Sequence, residues 1–391
     1  ELVEAYMGEI NKLTGRNYSL FNYYGAPDAE RIIIAMGSVS GTIEETVDYL
    51  CKKGEKVGYV QVHLYRPFSI EHLLAAVPPT VKRIAVLDRT KEPGSIGEPL
   101  YLDVVAAFEQ AEKKPQIVGG RYGLSSKDTT PAQMLAVFDN LKEEKPKHHF
   151  TVGIEDDVTH LSLKVGKELD ITSQGTISCK FWGLGSDGTV GANKNTIRII
   201  GEHTNCYVQA YFEYDTKKSG GITKSHLRFG EKPIRSSYFV KNADFIACHN
   251  PSYLDRYDMV SELKEGGIFL LNCGWTQAEL EESIPAKVKR TLAERRIRFY
   301  AIDATKIAQE LGLGKRINVI LQAAFFKLIK ILPIDEAAEY MKETIRKTYG
   351  RLGEKVVRMN YAAVDRGLTE VAEVKIPRQW NQIAGTEAAE A

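Results

Sequence analysis

The sequence has few of the residues that announce a metal centre, a redox pair or a membrane span. Its five cysteines, Cys51, Cys179, Cys206, Cys248 and Cys273, form no C-x-x-C pair and are odd in number. That argues against a disulfide framework and against a zinc or iron–sulfur site built from this chain. Four of the five fall on or beside expected strands, where a free thiol acts as a small apolar residue, and a reducing, cytoplasmic setting fits. No apolar run approaches the length of a bilayer span. The formal net charge of +1 provides no whole-chain field for nucleic acid or a membrane surface. H-E-x-x-H, G-x-S-x-G and the P-loop lysine pattern are all missing. The histidines give no metal-ligand spacing: His203, His226 and His249 fall on different elements, and His148-His149 are adjacent in a polar stretch. They read as satisfied or solvated side chains rather than ligands. No signal-peptide pattern opens the chain and Glu1 is not an initiator Met, so the sequence reads as a processed or excised piece.

What is present is ordinary globular composition, 43% hydrophobic and 26% charged, at a length of 391 residues that suits two or three domains. After a lead-in over residues 1–30, strand and helix patterns alternate. Strands are expected at Arg31–Gly37, Val57–Tyr65, Arg83–Asp88 and Gln116–Arg121. Helices are expected at Thr42–Lys53, Ile70–Val77, Leu100–Lys113 and Pro131–Asn140. Such alternation implies a parallel sheet with helices on both faces, whose ligands meet the loops after the strand carboxyl ends. Lys142–His149 is charged, poor in apolar residues and broken by Pro146, so the boundary between domains 31–141 and 150–374 is expected there, as a solvated linker. The second domain reads as α/β again, with Val158–Val165 a strand or an ordered loop. A helix is expected over Ser252–Leu263, and a largely helical part runs from Asn318 to Leu368. Residues 375–391 read as a linker or frayed tail.

One stretch organises that second domain: Phe181-Trp-Gly-Leu-Gly-Ser-Asp-Gly-Thr-Val-Gly-Ala-Asn-Lys194. It follows a strand-like run, Thr176–Lys180, and leads into a helical one, Asn195–His203. Gly183, Gly185 and Gly188 have the spacing G-x-G-x-x-G in the context that gives it meaning. Glycines admit close backbone approach and positive φ, and a helix start offers unpaired N–H groups and partial positive charge to an anion. Ser186, Asp187 and Thr189 add polar side chains to the turn. A dinucleotide reading expects an acid at the end of the following strand, Cys206–Glu213, and Glu213 and Asp215 stand there. Lys217 and Lys218 follow at once and suit a phosphate better than a bare ribose. A purely structural tight turn is the remaining alternative. Lys194, Lys224, Arg228, Arg235, Lys315 and Arg316 also lie near glycine turns or polar loops. Arg316 and Asn318 open a long helix after Gly312-Leu-Gly-Lys315, a second candidate anion site.

At these residues the sequence resembles the gamma-type domain of the 2-oxoacid:ferredoxin oxidoreductase family, in its pyruvate-using branch. The stretches that carry the likeness are Phe181–Lys194, Ser219–Gly230, Pro233-Ile-Arg-Ser236 and Gly312–Asn318. Residues 31–140 resemble that family's transketolase C-terminal-like domain, marked by Arg66-Pro-Phe68 and Asp88–Gly94. The resemblance implies an α/β chain of two domains, the first an open sheet and the second Rossmann-like with a helical C-terminal part. It implies oxidative decarboxylation of pyruvate with CoA to acetyl-CoA and CO2, electrons passing to ferredoxin or flavodoxin, in a homodimer. The glycine loop would be a CoA platform, with Gly183, Gly185, Ser186, Asp187, Gly188, Thr189, Lys217, Lys218, Arg316 and Asn318 as its candidate contacts. Thiamine diphosphate, Mg2+ and [4Fe-4S] clusters are implied for the full enzyme. This sequence has neither a cluster-type cysteine run nor a Gly-Asp-Gly…Asn thiamine motif. The expectation is therefore two middle domains of a longer enzyme, with no catalytic group assigned. A self-contained NAD(P)-binding dehydrogenase and a non-catalytic scaffold are the alternatives.

Overall fold

The computed structural model describes residues 1–215 and 221–382. It divides into two compact α/β units: residues 1–172 with 235–239, and residues 173–234 with 240–391.

The first unit runs α1 (Leu2–Thr14), β1 (Phe21–Gly25), β2 (Arg31–Ala35), α2 (Ser40–Lys52), β3 (Val57–Val62), α3 (Ile70–Ala76), β4 (Arg83–Asp88), α4 (Pro99–Phe108), β5 (Gln116–Arg121), α5 (Pro131–Asn140) and β6 (Phe150–Thr151). The sheet order is β1-β3-β2-β4-β5-β6, parallel except for β1. The run Ile32-Ile33-Ile34 is buried on both faces, as a central parallel strand requires. Ile33 packs with Ile43 and Val47 of α2 and Phe138 of α5. Ile32 and Ile34 pack with Leu73 of α3 and Val104 of α4. The two-residue period of the strand thus divides the helices between the two faces.

Residues 142–149 differ from the solvated linker expected of them. β6 pairs with β5, so the stretch lies inside the first unit. Asn140 closes it: its side chain accepts from Lys147 N at 2.9 Å and donates to Lys147 O at 3.0 Å. His148 Nδ1 accepts from Gly119 N at 3.0 Å, and the His148 and His149 rings lie against each other, centroids 3.7 Å apart and tilted by 37°. Charge and Pro146 signalled a break, but backbone groups satisfied by Asn140 and His148 make it an ordered turn.

Segment 235–239 also belongs to the first unit. The Arg235 guanidinium donates to Asp48, to Glu44 at 3.3 Å and to Tyr24 Oη at 2.8 Å. Buried Glu45 accepts from Ser236 Oγ at 2.6 Å and Tyr238 Oη at 2.9 Å. A side chain at Gly41 would overlap the Arg235 carbonyl, so α2 must present a bare backbone there.

The second unit runs β7 (Ile177–Leu184), α6 (Thr189–His203), β8 (Tyr207–Tyr214), β9 (Ile222–Gly230), β10 (Ala243–Cys248), β11 (Leu263–Asn272), α7 (Gln277–Ser283), α8 (Ala286–Glu294), β12 (Arg298–Ile302), α9 (Ala304–Glu310), α10 (Asn318–Ile329), α11 (Ile334–Tyr349), α12 (Glu354–Glu370) and β13 (Ala372–Glu373). The sheet order is β13-β12-β11-β10-β7-β9-β8. β12, β11, β10 and β7 are mutually parallel, and β9 and β13 run antiparallel to their neighbours. α10 is apolar nearly all round, as a helix buried on most sides must be. Its Phe325 meets Phe181, Phe229 and Phe245 from the sheet. α7 and α8 cover the opposite face through Leu280, Val288 and Leu292.

The helix expected over Ser252–Leu263 is instead two single 3-10 turns, Pro251–Tyr253 and Val260–Glu262, before a long β11. Asn250 accepts from Ser252 N at 3.2 Å and fixes the first turn, but nothing propagates it. Among the described residues, no helix is long and apolar enough to cross a membrane.

Candidate functional site

The glycine stretch folds as a strand, a four-residue turn and a helix. β7 ends at Leu184, the turn spans residues 185–188, and α6 starts at Thr189, six residues earlier than periodicity suggested. Each outer glycine of the pattern has a steric reason. A Cβ on Gly183 would lie 2.6 Å from Thr189 Oγ1, so the strand and the helix start touch there. Gly188 has φ of 86°, and a Cβ on it would lie 2.9 Å from the Asn318 amide. Asn318 begins α10, so a second helix start is packed against the first. Gly185 N donates to Gly221 O at 2.7 Å, which ties the turn to the start of β9.

Asp187 is the clasp of the turn. Its carboxylate accepts from Leu184 N at 2.9 Å and from Thr189 N at 2.7 Å. The protein's own carboxylate therefore takes the first helix N–H that the anion-cradle reading offers to a ligand. His249, directly after β10, stands behind it. Its Nδ1 lies 2.7 Å from Thr189 Oγ1 and 3.8 Å from Asp187 Oδ2. Burial opposes the Asp187 charge, but His249 and Thr189 outweigh it and hold the carboxyl below its usual range.

The turn forms one wall of a cleft of about 700 Å³. The other walls are the carboxyl ends of the parallel strands: His249 and Asn250 after β10, Asn272 to Trp275 at β11, and Asp303 and Thr305 after β12. Gly314 and Lys315 close it from the loop before α10. That is where an open parallel sheet takes its ligand, and the volume is that of a small-molecule site. Asn272 ties the walls together: its amide donates to His249 O at 2.9 Å and to Thr305 Oγ1 at 3.2 Å, and its oxygen accepts from Ala304 N at 2.9 Å. A smaller hollow of about 250 Å³ lies on the far side of the turn, against Tyr214, Asp215 and Thr223.

Of the residues singled out from sequence, Gly185, Ser186 and Asp187 line the cleft, while Gly188 and Thr189 line only the smaller hollow. Gly183 and Asn318 pack behind the turn. Arg316 is exposed in the loop before α10 and does not line the cleft; its neighbour Lys315 does. Lys217 and Lys218 lie outside the described residues. Several cations expected near the turn are engaged elsewhere. Arg235 pairs with Glu44 and Asp48, Lys224 with Glu213, and Arg228 donates to Gln209 at 3.1 Å. The dinucleotide expectation for Glu213 also meets an obstacle. β8 is separated from β7 by β9, and the Glu213 carboxylate accepts from His226 Nε2 at 2.6 Å. Sequence reasoning missed His249, Asn272, Trp275 and Asp303. The available signal was positional: each stands within three residues of the carboxyl end of a strand that proves to be parallel.

The fold and site thus define an α/β protein with a ligand cleft at the carboxyl edge of its second sheet. The chain belongs to the pyruvate ferredoxin/flavodoxin oxidoreductase family. The model of pyruvate ferredoxin/flavodoxin oxidoreductase matches residues 178–370, and that of pyruvate:ferredoxin oxidoreductase core domain II matches residues 29–134. The chain is 58% identical over 379 residues to a pyruvate:ferredoxin oxidoreductase of Moorella thermoacetica, covering 97% of this chain and 32% of that protein. It is 57% identical over 384 residues to a pyruvate-flavodoxin oxidoreductase of Enterobacter agglomerans, covering 98% of this chain and 33% of that protein. It is also 50% identical over 387 residues to a pyruvate dehydrogenase [NADP(+)] of Cryptosporidium parvum, covering 97% of this chain and 20% of that protein. The chain spans about a third of the length of the first two relatives.

Proposed function

We propose that this chain is the part of a pyruvate:ferredoxin or pyruvate:flavodoxin oxidoreductase that binds CoA. The complete enzyme decarboxylates pyruvate oxidatively, transfers the acetyl group to CoA and passes electrons to ferredoxin or flavodoxin. The observation that carries this reading is the cleft at the carboxyl edge of β7, β10, β11 and β12, walled by Gly185–Asp187 and by Lys315. Its place and size suit the nucleotide end of CoA. Ser186 and Lys315 are cleft-lining polar residues available to a phosphate chain on this reading, and Arg316 follows Lys315 in the same loop. Lys217 and Lys218, which lie outside the described residues, belong to the same proposed set. Gly183, Gly188, Thr189 and Asn318 hold the turn rather than touch the ligand.

Thiamine diphosphate, Mg2+ and iron–sulfur clusters belong, in this proposal, to the remaining domains. The cysteines here do not suit a cluster. Cys179 faces one core while Cys248 and Cys273 face the other, and burial pushes all three thiols up, away from the thiolate that a metal needs. The remaining domains of the same polypeptide, a second copy in a homodimer, and ferredoxin or flavodoxin are the proposed partners, in the cytoplasm. Calorimetric titration of the chain with CoA, NAD and NADP tests the reading. CoA is expected to bind most tightly; preference for either nicotinamide nucleotide overturns it in favour of a dehydrogenase.

A further inference from the structure

His249 is held in place on one side only. Its backbone N donates to Trp182 O at 2.9 Å, its carbonyl accepts from Asn272, and its ring Nδ1 meets Thr189 Oγ1 at 2.7 Å. The side chain is 4% exposed and lines the cleft, yet Nε2 has no hydrogen-bond partner among the described residues. Buried polar groups are nearly always partnered, so a pinned ring with one idle nitrogen beside a cleft asks for a ligand atom.

The hydrogen-bond chain behind the ring sets what that atom is. Asp187 is a carboxylate and only accepts, so the Thr189 hydroxyl donates to it. Thr189 Oγ1 then accepts from His249 Nδ1–H, which leaves a lone pair on Nε2 of the neutral ring. An anionic oxygen cannot approach that lone pair. It can approach Nε2–H of the imidazolium, with Asp187 Oδ2 at 3.8 Å as counter-ion. The other titratable groups on the surrounding walls are Asp303 at the start of α9, Cys273 at the end of β11 and Lys315 before α10; Tyr253, in the turn after β10, does not line the cleft but feels the Asp187 charge. Lys315 supplies the fixed positive charge; burial pushes the Cys273 thiol up and Tyr253 up to about 12, so both stay neutral.

We propose that His249 is a ligand-contacting residue of the cleft, whose Nε2 binds a phosphate oxygen and takes up a proton from solvent as it does so. The inference rests on the cleft being the site of an anionic nucleotide, and it adds a residue and a proton to that reading. Binding that takes up a proton weakens as pH rises.

The test is calorimetry of the chain at mildly alkaline pH in two buffers of different ionisation enthalpy, with CoA and, separately, inorganic pyrophosphate. The wild-type chain is expected to take up protons on binding either ligand. His249→Gln, confirmed folded by an unchanged melting curve, is expected to bind about tenfold more weakly, or worse, and without that uptake. Equal affinity and equal uptake in wild type and variant overturn the inference while leaving the CoA reading intact. Proton-linked binding of pyrophosphate without binding of CoA supports the inference and overturns the CoA reading. Absence of binding by either probe overturns both. Nitrogen NMR of histidine-labelled wild-type chain provides a readout free of any folding defect: Nε2 of His249 is expected to change from a bare to a protonated nitrogen when pyrophosphate is added, and an unmoved signal overturns the inference.

Discussion

At the scale of single residues, the glycines of the turn make different demands that substitution can separate. Gly183 has no room for a Cβ, because Thr189 Oγ1 and Cβ would lie 2.6 and 2.8 Å away. Thr189 both starts α6 and holds His249, so it cannot yield freely. Gly183→Ala is expected to destabilise the chain by about 1–3 kcal/mol, as overpacking does, and to weaken CoA binding. Gly191, two residues into α6, has nothing within 4 Å of an added Cβ. Gly191→Ala is expected to stabilise by up to about 1 kcal/mol through helix propensity alone. Urea denaturation of both variants checks the pair; equal effects would mean that the turn has no steric requirement.

A second residue-scale expectation concerns acid. His226 is completely buried; its Nδ1 accepts from Val240 N at 3.1 Å and its Nε2 donates to Glu213 at 2.6 Å. The neutral ring satisfies both bonds, and a protonated ring would lose the first. Burial pushes its pKa down to about 4, with Lys180 adding to the effect and Glu213 opposing it. Unfolded, the ring titrates near 6.5. The unfolded chain therefore binds a proton before the folded one does. Stability from this residue is complete above the unfolded value and falls as pH drops from about 6.5 towards 4. Denaturation midpoints measured across that window should show the slope, and His226→Gln, which keeps a donor for Glu213, should flatten it. An unchanged slope in the variant would assign acid sensitivity to other groups.

At the scale of elements, what the sequence made legible follows the strength of the local signal. The Arg31–Ala35 strand, the α2 and α5 helices and the helical C-terminal part were readable because apolar period and length agree. The start of α6 was not. Thr189, Val190 and Gly191 are poor helix formers, and only the Asp187 clasp and the contacts at Gly183 and Gly188 fix helix there. The fate of the cations was equally hidden. Arg235, Lys224 and Arg228 stand near glycine turns in sequence, yet acids and amides from other elements claim them. Asp187 was legible as a polar residue of the turn but not as the group that occupies the helix start. His249 was legible only as an isolated histidine, because the parallel pairing of β7 and β10 brings it to the turn.

Segment 235–239 yields an element-scale prediction. Buried Glu45 on α2 accepts from both Ser236 and Tyr238. Glu45→Ala removes the acceptor of both hydroxyls and is expected to lower stability by about 1–3 kcal/mol. All three residues belong to the first unit, so CoA affinity should be unaffected in the folded variant. A loss of CoA affinity equal to that of a cleft variant would place ligand recognition on this segment instead.

At the scale of the whole molecule, the two sheets share a plan but present different edges. The first sheet buries its central strands between helices on both faces, and its matched family model is a core domain. The second opens a cleft where four parallel strands and two helix starts converge. If CoA binds there, mass action stabilises what it touches and nothing else directly. At a hundredfold excess over Kd the stabilisation is about 2.7 kcal/mol, close to a hundredfold slowing of opening. Hydrogen exchange with saturating CoA should therefore slow in peptides covering residues 183–192, 248–252, 272–276 and 314–320. Peptides from β2, β4 and α5 should exchange at unchanged rates. The slowing depends on the cleft walls opening locally more often than the chain unfolds globally, which suits loop residues at strand ends better than the buried strands behind them. Protection confined to 207–223 would move the ligand to the smaller hollow beyond the turn, and protection centred on the loops after β2 and β4 would assign CoA to the first sheet.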